Sequence, residues 1–123
     1  MKSPMNTIRV AQLNLRLNRH AFDMTVNWMN DNDFHIALLS DPPFDIRRGR
    51  QTPRFKTILP DSDPDDRNVA ILIREDIKFL KIDSQHGRWC AAQIETHPVP
   101  IYFMSVYVSP RDNSNLDNIE TQI

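Results

Sequence analysis

The sequence predicts a mixed α/β domain: one mostly antiparallel mixed sheet with a covering helix. Three observations lead there. Ile8 to Asn14 is short, apolar-rich and partly alternating, as a strand is. The stretch after it is amphipathic at the helical period. Short apolar runs then follow in quick succession, separated by turn residues.

Each element has a local reason. Asn18 is placed to cap a helix over Arg19 to Asn30, its side-chain oxygen accepting an N–H of the first turn. At about 100° per residue, Ala21, Phe22, Met24, Thr25, Val26, Trp28 and Met29 share one broad arc opposite Asp23, Asn27 and Asn30. Phe34 to Leu39 is a compact apolar run, expected as a buried strand. The segment Asp41 to Pro53 carries Pro42, Pro43 and Pro53 with the cluster Arg47, Arg48 and Arg50, and is expected as a loop with a basic edge. Arg54 to Leu59 reads as a short strand and Pro60 to Arg67 as an acidic turn. Asn68 to Ile73 and Ile77 to Ile82 read as two strands around a hairpin-length connection, Arg74-Glu75-Asp76. Trp89 to Ile94 and Ile101 to Val108 complete the series, joined by a turn at His97-Pro98. Ser114 to Ile123 reads as the beginning of a helix, so a chain truncated at its C-terminus is expected.

Composition removes several classes of function. At 123 residues the chain is one domain or part of one. Fifteen Lys and Arg stand against sixteen Asp and Glu, a net charge of −1, which argues against an unspecific polyanion binder. It does not exclude a nuclease whose basic residues gather on one face. The two glycines, Gly49 and Gly87, cannot make a glycine-rich phosphate loop or a dinucleotide fingerprint. One cysteine, Cys90, excludes a disulfide framework and a multi-cysteine zinc site, and between Trp89 and Ala91 it reads as a small core residue. No apolar stretch approaches membrane-spanning length, and Met1 to Thr7 has no apolar signal core, so an intracellular, reduced compartment is expected.

Most local constellations are bland. Asp61-Ser62-Asp63-Pro64-Asp65-Asp66 opens like a calcium loop, but Asp66 stands where the loop needs glycine and Leu72 where it needs glutamate. It reads as a solvated turn. His20, His35, His86 and His97 show no ligand spacing for zinc. The informative residues are dispersed at strand ends: Gln12-Leu13-Asn14, Leu38-Leu39-Ser40-Asp41-Pro42, and Ser105 to Pro110 around Tyr107. In a mixed sheet such ends collect along one rim, where an amide, a carboxylate and a phenol would position a phosphate and hold a hard cation through oxygen. The same residues are also ordinary turn and core residues.

The order of these motifs resembles the opening of the endonuclease/exonuclease/phosphatase superfamily: a strand ending Gln-x-Asn, an amphipathic helix, then Leu-Leu-x-acid-Pro. The later Val-Ala-Ile-Leu-Ile-Arg and Met-Ser-Val-Tyr-Val-Ser-Pro stretches fit the same order. The chain is most similar in flavour to the apurinic-endonuclease-like domain of non-LTR retrotransposons, from about Ile8 onward and over the N-terminal half only. The resemblance implies the first half of a two-sheet α/β sandwich: residues 1–7 as an extension, and residues 8–123 as a partial domain. It implies Mg²⁺-dependent phosphodiester cleavage of DNA, and action in the nucleus if the chain derives from a retrotransposon. Asn14 would orient the phosphate and the active-site water, Asp41 would be the metal-binding acid, and Tyr107 would contact the scissile phosphate. Arg47, Arg48 and Arg50 are added as DNA-backbone contacts on their charge alone.

Two departures stand against full activity. The family's Gln-Glu-Pro is Ser40-Asp41-Pro42 here, and the shorter acid retracts its carboxylate by roughly 1.5 Å. The family's later Asp-x-Asn and acid–histidine pairs have no equivalent, since Asp112-Asn113 and Asp117-Asn118 have the wrong spacing. An incomplete domain, inactive alone, is therefore expected. An uncovered sheet face is expected to self-associate or meet a partner protein. The alternatives are a non-catalytic interaction module or decayed remnant, and a phosphatase branch of the same superfamily.

Overall fold

The computed structural model describes residues 7–96 and 99–108. Its elements in chain order are β1 (Val10–Asn14), α1 (Arg19–Asp31), β2 (Ile36–Ser40), α2 (Phe44–Arg47), β3 (Phe55–Ile58), β4 (Val69–Arg74), β5 (Phe79–Ile82), β6 (Trp89–Ile94) and β7 (Ile101–Val106). A single 3-10 turn, Pro64–Asp66, lies between β3 and β4. The expected turn at His97-Pro98 and the helix start over Ser114 to Ile123 lie outside the described residues.

The strands form two sheets. A four-stranded mixed sheet has the order β1-β2-β4-β3, and a three-stranded antiparallel sheet has the order β5-β6-β7. Only β1 and β2 run parallel, with Asn14 opposite Ser40 at their C-terminal ends. α1 supplies the crossover such a parallel pair requires. Asn18 caps it, accepting the Ala21 N–H at 3.0 Å. Phe22 and Met29 of α1 pack with Ala37, Leu39, Ala70 and Leu72 on the outer face of the first sheet. Ile36, Val69, Ile71 and Ile73 alternate with them and face Cys90, Ala92 and Ile94 of the second sheet. β4 is covered on both faces, which is why it reads as an unbroken apolar run.

Four differences from the sequence reading have physical causes. The two-sheet α/β sandwich is as expected, but its second sheet, expected beyond this chain, is built here from β5, β6 and β7 and covers the face expected to be open. β4 and β5 do not form a hairpin: the chain crosses between layers at Arg74–Asp76, where the Arg74 Nε to Asp76 Oδ1 ion pair closes the corner at 2.6 Å. The proline-rich loop contains one helical turn, α2, which buries Ile46 under α1. The broad apolar arc of α1 is only partly used, because Met24 and Trp28 remain 57% and 45% exposed. Both line an apolar groove beside β1 with Val10, Leu13 and Phe34.

Two buried titratable groups are structural. Burial pushes the Cys90 thiol up to about 12, so it stays protonated and inert. His35 accepts the Arg9 backbone N–H on Nδ1 at 2.9 Å, which requires a neutral ring. Burial, then the Arg74 charge, hold its pKa below the ordinary value of 6.5. The unfolded chain therefore binds the proton first as pH falls, and His35's stabilising contribution is lost as pH drops below about 6.5. Urea midpoints should decline from pH 7.5 to 5.5. His35→Asn, which keeps an acceptor near Nδ1, should flatten that decline.

Candidate functional site

The C-terminal ends of β1 and β2 and the start of β4 share one end of the first sheet, because β2 and β4 pair with Ser40 opposite Val69. Backbone hydrogen bonds carry this rim into the second sheet. The Asp41 N–H donates to the Asn68 carbonyl at 2.9 Å, the Asn68 N–H to Gly87 at 2.8 Å, and the Tyr107 N–H to Arg88 at 2.7 Å. Buried Ser105 locks the layers together, its hydroxyl donating to the Leu39 carbonyl at 3.0 Å. Asn14, Asp41 and Tyr107, taken from three distant segments, thus stand along one rim.

Each is held differently. Asn14 lies on the face of β1 shared with Val10 and Gln12, the face that β2 turns to the second sheet. Its side-chain oxygen accepts the Arg16 N–H at 2.9 Å, closing a short turn in which Arg16 and Leu17 both take left-handed backbone (φ 51° and 63°). With the carbonyl oxygen so engaged, the Asn14 amide retains two N–H donors. Tyr107 continues β7 by one residue and is half-buried against the inner core. Asp41 follows β2 directly in left-handed backbone (φ 48°), and its carbonyl accepts the Leu17 N–H at 2.8 Å.

The arginine cluster is largely committed to the protein itself. Arg47 is buried, donating from Nε to the Pro42 carbonyl at 2.9 Å and standing 3.7 Å from the Asp41 carboxylate. Arg50 pairs with Asp45 at 2.7 Å. Arg48 stays exposed, 3.4 Å from an equally exposed Asp65, a contact of little energetic weight. Two rim arginines went unnoticed in the sequence reading: Arg16, beside Asn14, and Arg88, beside Tyr107. Both are exposed, and among the described residues neither guanidinium has an ion-pair partner. Isolated in the sequence, they carry no charge-cluster signal.

The rim donors do not by themselves fit a resident divalent cation. Mg²⁺ needs near-octahedral oxygen at about 2.0–2.1 Å. Among the described residues the rim offers one carboxylate, already facing the Arg47 guanidinium, and an amide oxygen already accepting a backbone N–H. No group of three or more His, Cys, Asp or Glu among the described residues is placed to hold a metal ion. The acidic turn is no calcium loop either: Asp61 pairs with Lys81 at 2.5 Å and accepts the Ser84 N–H at 2.9 Å. Those two hydrogen bonds, the Lys81 one foremost, lower its pKa.

The strands thus form a two-layer α/β sandwich with polar residues at the strand ends of one rim. The chain is similar in structure to the endonuclease domain of TRAS1, a telomere-specific non-LTR retrotransposon, with a TM-score of 0.74 and 19% sequence identity. The likeness covers 94% of this chain and 52% of that one, so the chain spans about half the length of the solved domain. At that identity the likeness establishes the fold. No protein-family model matches the sequence, and no curated protein matches it. No helix among the described residues is long and apolar enough to cross a membrane.

Proposed function

We propose that this chain is the phosphate-positioning part of a DNA endonuclease of the retrotransposon type. The observation that carries the reading is the convergence of Asn14, Asp41 and Tyr107 on one rim of a nuclease-like sandwich. The Asn14 amide donates to a phosphate oxygen, and the Tyr107 hydroxyl approaches the same group from the second sheet. Arg47 holds Asp41 and the Pro42 turn in place. The described residues alone do not supply the donors that a water-activating cation would need, and the substrate is DNA in the nucleus.

The test is nicking of supercoiled plasmid by the protein as the cell makes it, with Mg²⁺ and with an EDTA control. Conversion to open circles in Mg²⁺ alone is the expected result. Plasmid left intact under both conditions sinks the nuclease reading.

A second reading, a non-catalytic interaction module, is favoured by one observation. β1 and β7 are both edge strands. β7 lies over β2 and β4, so the two unpaired edges open on the same side of the sandwich. Val10 and Leu13 of β1, and Tyr102, Met104 and Val106 on the outer face of β7, are exposed, and neither strand carries the charges that usually blunt such edges. Under this reading a protein partner, or a second copy, binds the open side, and binding survives Asn14→Ala.

A further inference from the structure

We infer that Arg16 and Arg88, rather than the sequence-adjacent cluster Arg47, Arg48 and Arg50, make the principal contacts to the DNA backbone. The inference rests on the endonuclease reading and names the residues through which this chain holds its substrate. A guanidinium that grips a phosphate must be exposed, must lie beside the groups that act on that phosphate, and must not already be neutralised. Arg16 and Arg88 meet all three conditions. Arg16 sits two residues beyond Asn14, and its backbone N–H is fixed on the Asn14 side chain at 2.9 Å. Arg88 is tied to the other side of the rim, its carbonyl accepting the Tyr107 N–H at 2.7 Å. Arg16 thus follows β1 of the first sheet and Arg88 precedes β6 of the second, both at the rim.

The cluster fails these conditions in part or in whole. Arg47 is 6% exposed and serves Pro42 and Asp41. Arg50 is one of two arginines on the Asp45 carboxylate, Arg19 being the other at 2.5 Å. Arg48 is exposed and only weakly paired with Asp65, but it follows α2 and among the described residues no hydrogen bond ties it to Asn14 or Tyr107. A chain with net charge −1 has little long-range pull on DNA. Its contacts are therefore local ones, and the two rim guanidinium groups, which have no ion-pair partner among the described residues, supply them.

Fluorescence anisotropy with a labelled 20-base-pair duplex at low salt tests this. Arg16→Gln and Arg88→Gln should each weaken binding by about 5–10-fold and each reduce the salt slope by about 1. Arg50→Gln should change it less than about 2-fold, since that charge is spent on Asp45. Far-UV circular dichroism checks that both variants stay folded, as substitutions of exposed side chains should. If the parent binds the duplex and both rim variants bind equally well, the assignment is wrong while the nuclease reading stands. If the parent does not bind the duplex even at low salt, both are overturned.

Discussion

Gly87→Ala will cost this protein about 3 kcal/mol or more, the upper end of what overpacking does. A Cβ built on Gly87 would lie 1.5 Å from the Asp66 carbonyl oxygen and 2.5 Å from its carbon. Both are backbone atoms, so no side-chain rotation relieves the clash. The β5–β6 loop must lift away from the 3-10 turn, and the Gly87 carbonyl must then release the Asn68 N–H it accepts at 2.8 Å. Asn68 in turn receives the Asp41 N–H, so the damage runs along the rim. The melting temperature should fall by roughly 10 °C or more for a domain of this size. Gly49→Ala is the control. Gly49 has φ +96° but nothing within 4 Å of an added Cβ. Its cost is conformational only, about 1–2 kcal/mol. Equal melting temperatures for the two variants would show that the Asp66 contact does not form.

The contrast between these glycines shows what a sequence does and does not disclose. Two glycines in 123 residues ruled out phosphate loops, but nothing nearby in the chain revealed that Gly87 touches a turn some twenty residues earlier. The long apolar strands were legible for the opposite reason. β2, β4 and β6 are buried on both or nearly both faces, and continuous burial writes itself as continuous apolar sequence. α1 was legible from its cap and period, though the period overstated its buried face, since Met24 and Trp28 look onto an open edge rather than a core. The corner at Arg74–Asp76 was not legible. A short polar link between two strand-like runs has the same composition whether it folds back as a hairpin or crosses between layers. What decides is the pairing of β5 with β6 and the burial of Ile77, which are long-range facts. α2 was hidden likewise: its single turn follows two prolines and draws its stability from Ile46 beneath α1, not from helical propensity. The candidate site was legible residue by residue, because polar strand ends are conspicuous. The use of each arginine was not, because charge clustering in sequence gives no account of which carboxylate each one meets.

Asn14→Asp should lower plasmid nicking by roughly 10²–10³-fold while leaving the fold intact, the loss seen when one preorganised donor to a developing oxyanion is removed. The substitution separates the two tasks of this side chain. Aspartate keeps an oxygen where Asn14 Oδ1 accepts the Arg16 N–H at 2.9 Å, so the turn carrying the left-handed Arg16 and Leu17 persists. The N–H₂ donors are replaced by an acceptor with a negative charge, which repels the phosphate that the amide would hold. Asn14→Ala makes the complementary change. It removes donor and turn acceptor together, so it should lose activity and also about 1 kcal/mol of stability, the typical worth of such a side-chain-to-backbone bond. Nicking measured alongside urea unfolding distinguishes the outcomes. Loss of activity at unchanged stability in Asn14→Asp identifies the amide donors as the working part of the rim. Full activity in Asn14→Asp would leave Asn14 as a turn residue only, and the positioning of the phosphate would then fall to Tyr107 and the flanking arginines.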